Sequence, residues 1–341
     1  MINLIIPSFN RYSHLKRMLS FFCEYNLSEI KYFKIFILDS SNIKTNDSLL
    51  KNIIKKLNIE YIKFDSDIFI VQKIQMITSS LTEKFTIILA DDDIVDLKRL
   101  IEYQKFMEIN EEYSCVTGIS LFDDFGHDLY FKNLKKTVED YSIVNEDYRN
   151  RIKKYSLLSN IGNPFYGIIR TELFCKIWDQ MSEFVFFWYY PEILFNYSIL
   201  LSGKFLVFDN ISTVRNLNDS LFNDIKSLNI MNEERNKKSI NLFTSISPSC
   251  DKEFLLGQLR VIKKTQMKII SRSTNNMSIF EKFKKEINKI IFHFINKNIY
   301  YDKIDSNSEE FYNNVLNFYN DNALSNHEIT LSRKIYTKWM K

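Results

Sequence analysis

The 341-residue sequence predicts an α/β fold, in which a mostly parallel sheet is flanked by helices and followed by a C-terminal helical appendage. Three observations predict it. Over the first 110 residues, short apolar runs alternate with stretches whose apolar residues recur at helical spacing. The apolar runs begin about 25–30 residues apart, as the strands of βαβ units do. Beyond residue 226 the pattern is mainly helical.

Four strands and three helices are predicted in the first 110 residues. The strands are expected over 2–6, 33–38, 59–64 and 85–90, and the helices over 13–25, 47–57 and 68–81. Pro7 closes the first strand, and Asp47 suits the N-cap of the second helix. Ligands of open parallel sheets bind at the carboxyl ends of the strands, so the polar residues there form the candidate site. These residues are 8–11, 39–41 and 91–93.

Residues 111–225 follow a different pattern. We expect strands over 113–121, 128–131 and 204–208, a loop entering a strand over 160–170, and helices over 173–181 and 193–201. The turn Asp124-Phe125-Gly126 joins the first two of these strands. The chain therefore divides into an α/β domain over 1–225, with halves 1–110 and 111–225, and a helical region over 226–341.

Composition excludes several classes of protein. With 45% hydrophobic and 15% aromatic residues, the chain can build a folded core. Six glycines argue against a glycine-rich phosphate loop, and four separated cysteines argue against structural zinc. A net charge of +4 is small for this length, so no nucleic-acid partner is expected. The sequence has neither a leader pattern nor an apolar run of about 18 residues, which predicts a cytoplasmic protein.

Asp91-Asp92-Asp93 is the sharpest feature of the sequence. Adjacent carboxylates repel one another, so the cluster needs solvent or a divalent cation to neutralise it. Mg²⁺ and Mn²⁺ favour carboxylate oxygens together with the phosphate oxygens of a substrate. In an extended segment Asp91 and Asp93 point the same way, so that one holds the cation and the other orients a ligand. The alternative is an acidic loop that caps the helix beginning near Asp96.

Three motifs, each at a predicted strand end, resemble those of a known family. They are Ile5-Ile6-Pro7-Ser8-Phe9-Asn10-Arg11, Ile37-Leu38-Asp39-Ser40-Ser41 and Ile87-Ile88-Leu89-Ala90-Asp91-Asp92-Asp93. Their order and spacing resemble the Pro-x-Tyr/Phe-Asn, Asp and Asp-x-Asp motifs of family-2-type glycosyltransferases. The resemblance covers about residues 1–220 and implies a GT-A-like (Rossmann-like) sheet.

The resemblance also implies a site for a nucleoside-diphosphate sugar, with a UDP-sugar as the expected donor. A divalent cation, Mg²⁺ or Mn²⁺, would bridge the diphosphate to Asp91 and Asp93. The residues that it assigns to the donor are Pro7, Phe9, Asn10, Arg11, Asp39, Ser40, Asp91 and Asp92, with Asp93 on the cation. Lys73 would face the nucleotide, and Arg215 would contact the diphosphate.

An inverting transfer needs a base that deprotonates the acceptor hydroxyl. The resemblance implies a carboxylate about 100 residues past Asp-x-Asp, at the start of a helix. Glu192 follows Pro191 at such a position, where the helix N-terminus stabilises a negative charge. Asp179 and Glu183 are the alternative bases, and Glu192 is equally interpreted as an ordinary first-turn glutamate.

The sequence departs from the family at two points. Ser40 stands where the family has a second acid or an asparagine. The late histidine that often binds the metal in the family is missing from 213–220, where Asn216, Asn218, Asp219 or water are the candidates to replace it.

Two further segments each have two interpretations. The aromatic run over 184–190 is either core or a sugar-stacking surface, with Trp188 and Tyr189 as the first candidates to test. Asn163 and Tyr166 are candidates for the acceptor side. A basic amphipathic stretch over 279–297 either packs on the main domain or lies on the inner face of the cell membrane. An oligomer contact is a third use of the helical region.

We therefore expect a metal-dependent, inverting glycosyltransferase whose acceptor is a bacterial surface glycan or a lipid-linked glycan. The prediction of this acceptor rests on the family resemblance and on the basic stretch over 279–297. A non-catalytic relative that binds nucleotide sugars or glycans is the alternative. A haloacid-dehalogenase-like phosphohydrolase fits less well, because its nucleophilic Asp normally lies on an early strand before a Gly-Thr turn. A nucleotidyltransferase would need a glycine-rich first loop.

Overall fold

The computed structural model describes residues 1–42, 47–123, 129–130, 141–157, 164–181, 189–216, 233–274 and 306–321. The strands are β1 (Ile2–Ser8), β2 (Phe33–Asp39), β3 (Glu60–Lys63), β4 (Phe85–Ile88), β5 (Ile94–Val95), β6 (Tyr113–Asp123), β7 (Leu129–Tyr130), β8 (Ile168–Arg170) and β9 (Lys204–Asn216). The helices are α1 (Tyr12–Tyr25), α2 (Ser48–Lys56), α3 (Ile70–Ile77), α4 (Leu97–Ile109), α5 (Tyr148–Leu157), α6 (Thr171–Asp179), α7 (Tyr189–Ser202), α8 (Glu233–Ile246), α9 (Lys252–Thr274) and α10 (Ser306–Asp321).

All of these strands belong to one sheet. Its order is β3-β2-β1-β4-β8-β6-β9-β5, and β7 pairs with β6. β3, β2, β1 and β4 pair in parallel, as do β6 and β9. The short strands β5, β7 and β8 pair in antiparallel fashion with their neighbours. The sheet is thus mostly parallel and flanked by helices, which confirms the predicted fold class.

β1 and β9 extend beyond their predicted ends. β1 continues through Pro7 to Ser8 instead of ending before the proline. The backbone carbonyl of Ile5 points toward β4 and that of Ser8 toward β2, so position 7 faces β4. The β1–β4 ladder has ended by then, and the missing N–H of Pro7 costs no ladder bond. β9 likewise runs to Asn216, beyond the predicted end at 208.

Helices cover both faces of the sheet and bury two apolar cores. Side chains alternate along β1, so Leu4 and Ile6 join one core with α1, α2, α4 and α10. Ile5 joins the other core, which α3 and the helices α5 to α9 complete. Every residue of β1 is buried, which explains why the strand is apolar apart from Asn3 and Ser8.

The helices of the C-terminal region pack on opposite faces. α8 and α9 contact α5 and α7, whereas α10 contacts α1 and β9. Phe311 and Phe318 of α10 meet the Phe21 ring edge-on, with centroids 6.1 and 5.4 Å away. Helix α10 therefore contributes to the core beside the N-terminal half. The domain boundary at 225 stays a prediction, and 279–297 lies outside the described residues.

Within the part of the chain that the structure describes, no helix is both long enough and apolar enough to cross a membrane.

Candidate active site

The carboxyl ends of β1, β2 and β4 bring the three sequence motifs together. β1 lies between the other two strands, and Ser8 pairs in register with Asp39 of β2. On the other side, Ser8 Oγ donates a 2.7 Å hydrogen bond to Asp91 Oδ2. Residues that are more than 80 positions apart in sequence thus meet at one edge of the sheet.

The three aspartates lie on a turn and not on an extended segment. The Asp93 N–H donates to the Ala90 carbonyl at 3.2 Å, which closes the turn. The expectation that Asp91 and Asp93 align as in an extended strand is therefore wrong. Asp91 contacts residues that follow β1, whereas Asp93 contacts Arg215 at the end of β9. The alternative role as a helix cap is also wrong, because Asp96 caps α4 by accepting from Lys98 N at 2.9 Å.

Arg11 neutralises the first two aspartates. Its Nη1 lies 3.1 Å from Asp91 Oδ1, and its Nη2 lies 2.5 Å from Asp92 Oδ2. Burial nevertheless raises the pKa of Asp91 to about 6, since the attraction of Arg11 and the Ser8 hydrogen bond offset the lost hydration only in part. Arg11, predicted to belong to the donor site, thus contacts the acidic cluster, and the pairing has a direct electrostatic reason.

Arg215 approaches the third aspartate from the opposite side. β5 and β9 are antiparallel, with Ile94 opposite Val214, and the next pair in that register is Asp93 and Arg215. Arg215 Nε lies 3.4 Å from Asp93 Oδ2. The guanidinium carbon is 3.8 Å from the centroid of the Tyr166 ring, a cation–π stack. Tyr166 follows Pro164 in a short 3₁₀ turn before β8.

Asp39 is completely buried and accepts hydrogen bonds on both carboxylate oxygens. The donors are Ser41 N and Oγ, the Tyr12 and Tyr61 hydroxyls and Lys63 Nζ. Burial alone would raise the pKa of Asp39, but these hydrogen bonds outweigh it and lower the pKa to about 2. Asp39 therefore stays ionised.

Lys73, predicted to face the nucleotide, is buried beneath the strand ends. Its ammonium donates to the Ser8 and Leu38 carbonyls at 3.0 and 3.1 Å, and to Ser40 Oγ at 3.0 Å. Burial lowers the pKa of Lys73 to about 8, against the attraction of Asp39 and Asp91. Lys73 and Ser40 thus hold the ends of β1 and β2 together.

The residues after β1 differ in how they are placed. Phe9 is 47% exposed, while Pro7 is buried within the strand. Asn10 has a φ of 56°, a left-handed conformation that asparagine tolerates. Its backbone N–H donates to Ser41 Oγ at 2.7 Å, and its Oδ1 accepts from Asn42 N at 3.1 Å. Asn10 therefore ties this turn to the end of β2.

Glu192 lies in the first turn of α7 and is 5% exposed. Its charge is close enough to Tyr166 and Arg215 to raise the pKa of both. The structure thus brings Glu192 near the Arg215 side of the acidic turn. Asp179 is elsewhere, because it accepts from Thr78 Oγ1 beyond the C-terminal end of α3. The sheet edge that carries the aspartates is at the other end of that helix.

Several predicted residues lie outside the described residues: Asn163, Glu183, Trp188, Asn218 and Asp219. For Tyr189 and Asn216 the backbone alone is described. The predictions that rest on them stay predictions, and so does the acceptor-side role of Tyr166, whose ring stacks on Arg215.

The described residues offer few ligands for a metal ion. No group of three or more His, Cys, Asp or Glu side chains among them could hold one. Mg²⁺ is commonly bound by one or two carboxylates, with substrate phosphates and water completing the shell. Asp91 and Asp93 supply hard oxygen ligands of this kind. The donor set thus fits a cation whose remaining ligands are water or diphosphate oxygens, and among the described residues it does not provide a cage made by the protein alone.

Three of the side chains that contact Asp39 were not predicted from the sequence. Tyr61 and Lys63 lie two residues apart on β3, on the same face of the strand, and β3 neighbours β2. A parallel order β3-β2-β1 would have brought both to Asp39. Tyr12 is the first residue of α1 and directly follows Arg11. This nearness in sequence to the predicted site residues was the signal that could have placed its hydroxyl near Asp39.

No protein-family model matches the chain, and no curated protein matches it by sequence. S. aureus TarS residues 1–349 have a similar structure, at 13% identity and a TM-score of 0.51, covering 82% of this chain and 76% of that one. The same fragment in complex with UDP-GlcNAc matches at 12% identity and a TM-score of 0.49, covering 82% and 77%. A Pyrobaculum calidifontis mannosyltransferase in complex with GDP-Man and Mn²⁺ matches at 9% identity and a TM-score of 0.43, covering 85% and 79%. The first similarity shows that the chain has the fold of TarS.

Proposed function

We propose that the chain is an inverting glycosyltransferase that moves a sugar from a nucleoside-diphosphate sugar to an acceptor hydroxyl. One observation carries the proposal: at the carboxyl edge of the sheet Arg11 contacts Asp91 and Asp92, and Arg215 contacts Asp93. The charge of Glu192 also acts on Arg215. A parallel sheet binds its ligands at this edge. The fold shared with TarS supports the proposal.

The diphosphate would lie over the acidic turn. Arg11 and Arg215 offer guanidinium groups, which bind phosphate oxygens in a planar, two-pronged way. We propose that Asp91 and Asp93 hold a Mg²⁺ or Mn²⁺ ion whose coordination shell the donor diphosphate completes. When bound, this cation would stabilise the negative charge of the departing nucleoside diphosphate.

Glu192 is the proposed base. Its carboxylate would take the proton of the acceptor hydroxyl while the acceptor oxygen bonds to the anomeric carbon and the bond from that carbon to the diphosphate breaks. Attack from the face opposite the leaving group inverts the anomeric centre. The first turn of α7 supports this role, because helix N-terminal amides favour an ionised carboxylate.

The nucleoside would lie near Asp39, with uracil as the proposed base. Asp39 holds the hydroxyls of Tyr12 and Tyr61 and the ammonium of Lys63, which is 46% exposed. The exposed ring of Phe9, directly after the end of β1, offers a stacking surface. TarS has been solved with UDP and with UDP-GlcNAc, which favours a UDP-sugar as the first donor to test.

For the acceptor, we propose a bacterial surface glycan or a lipid-linked glycan at the inner face of the cell membrane. The basic amphipathic stretch over 279–297 would provide the contact with anionic lipid.

Ligand-induced thermal stabilisation tests the proposal. The full chain would be unfolded by heating in the presence of UDP, UDP-GlcNAc, GDP-mannose or one of a panel of nucleotides that carry no donor sugar. Each measurement would be made with and without Mn²⁺. We expect one nucleoside diphosphate or its sugar to raise the unfolding temperature in a concentration-dependent way, because a ligand that binds the native state stabilises it. Donor hydrolysis is then measured with the stabilising sugar nucleotide. No stabilisation by any of them would contradict the proposal, and binding without hydrolysis or transfer would favour the non-catalytic alternative.

A further inference from the structure

The two arginines of the acidic turn are held very differently. Arg11 contacts two carboxylates, at 3.1 and 2.5 Å, both within hydrogen-bonding range. Arg215 has a single carboxylate contact in the described residues, to Asp93 Oδ2 at 3.4 Å, longer than a good N–H···O bond. Among those residues no atom accepts a hydrogen bond from Arg215 Nε. Arg11 is therefore fixed by its carboxylates, and Arg215 is not.

What orients Arg215 is the Tyr166 ring. The guanidinium carbon lies 3.8 Å from the ring centroid, so one flat face of the group is covered. The N–H donors of a guanidinium lie in its plane, and stacking leaves this edge available to oxygen acceptors. The side chain is 17% exposed, so a ligand can reach it. Tyr166 thus holds the Arg215 guanidinium in place and does not use the N–H donors of that group.

The carboxylates of Asp93 and Glu192 both lie close to this guanidinium. Asp93 is a proposed ligand of the divalent cation, and Glu192 is the proposed base. Asp93 faces it through the β5–β9 register, and the charge of Glu192 acts on it from α7. Because the guanidinium lies flat against the Tyr166 ring, a rotation within its own plane would turn its N–H donors toward a different anion and keep the stacking contact.

We propose that Arg215 is an exchangeable counter-ion: it neutralises Asp93 while no divalent cation is bound, and it turns to the diphosphate once a cation occupies Asp93. The second half of this inference rests on the proposed function. Two couplings of opposite sign follow. Arg215 competes with the divalent cation for Asp93, and it cooperates with the cation in binding the diphosphate.

The test compares wild-type protein with Arg215→Gln in two titrations followed by calorimetry. With MnCl₂ alone, Arg215→Gln should bind Mn²⁺ roughly tenfold more tightly, because the competing charge is gone. With UDP at saturating Mn²⁺, it should bind UDP roughly tenfold more weakly, because a phosphate contact is gone. Arg215→Lys keeps the charge and should leave Mn²⁺ affinity near the wild-type value.

The matched control is Arg260→Gln. It breaks an exposed ion pair elsewhere on the chain, in which Arg260 Nε lies 2.7 Å from Glu233 Oε1. It should change neither titration. Unfolding midpoints of all variants establish that each is folded before its affinities are compared.

Unchanged or weaker Mn²⁺ binding by folded Arg215→Gln would overturn the inference, and so would a failure of both wild type and variant to bind Mn²⁺. If no nucleoside diphosphate binds the wild type, the proposed function fails. The MnCl₂ titration contains no nucleotide, so it decides separately whether Arg215 and the cation compete.

Discussion

Asp39 and Asp91 lie on either side of β1, both within electrostatic range of the Lys73 ammonium, yet their pKa values shift in opposite directions. Burial raises both, but the hydrogen bonds to Asp39 prevail and bring its pKa to about 2. Asp91 has Arg11 and Ser8 as partners and the like charge of Asp92 beside it, and its pKa rises to about 6. The same substitution, Asp to Asn, should therefore change the free energy of unfolding in opposite directions at the two positions.

Asp39→Asn should lower the free energy of unfolding by about 2 kcal/mol at pH 7. The folded-state pKa is below the usual 3.8, so the stability that this carboxylate contributes is complete above pH 4 and lost as the pH falls through 2. Urea unfolding at pH 7 and pH 2.5 measures it. The gap between wild type and variant should shrink at the lower pH. A gap that is independent of pH would mean that packing, and not the charge, is responsible.

Asp91→Asn should raise the free energy of unfolding at pH 7, by about 1–3 kcal/mol. Here the folded-state pKa lies above 3.8, so the wild-type side chain contributes its full stability below pH 4 and loses it as the pH rises through 6. The gain should therefore vanish at pH 4 in the same urea experiment. A variant that is less stable than wild type at pH 7 would contradict this account of the site.

Asp93→Ala should abolish Mn²⁺-dependent stabilisation by UDP and reduce transfer by at least about 100-fold, because the proposed cation loses a ligand. Thermal unfolding with UDP and Mn²⁺ gives the first readout, and donor turnover the second. The control is Asp209→Ala, an exposed aspartate on β9. Undiminished transfer by Asp93→Ala would remove the central residue of the proposal.

Glu192→Gln should retain UDP binding while transfer falls by about 10²–10⁴, the usual contribution of a general base. The glutamine keeps the shape of the side chain and cannot take the proton. Glu172→Gln is a matched control, since Glu172 is an exposed glutamate in the first turn of α6. Transfer at the wild-type rate by Glu192→Gln would show that another group is the base.

Much of the fold was predictable from local pattern. The parallel strands β1, β2 and β4 bury both faces, so their apolar runs were recognisable one by one. Asp47 was correctly predicted to cap α2, where it accepts from Leu50 N at 3.1 Å. The two-residue strand Ile94–Val95 was missed, because so short a segment has no period and forms only through its pairing with β9.

The candidate site was predictable in part. Its strand-end residues follow from the rule that parallel sheets bind ligands at their carboxyl edge, and they do meet there. Lys73 was expected to face a nucleotide, but its burial and its three protein acceptors depend on how α3 packs beneath Ser8 and Ser40. That packing leaves no signal in the sequence around position 73.

The sequence by itself determined which of the longer segments become strands and helices, and which polar residues follow the first parallel strands, because hydrophobic periodicity is a property of short stretches. The tertiary structure alone decided which charges become partners. Asp93 meets Arg215 because β5 and β9 pair in one antiparallel register, and Asp39 meets Lys63 because β3 lies next to β2. Such contacts join residues far apart in the chain, and they exist only once strand order and register have brought the ends of the strands together.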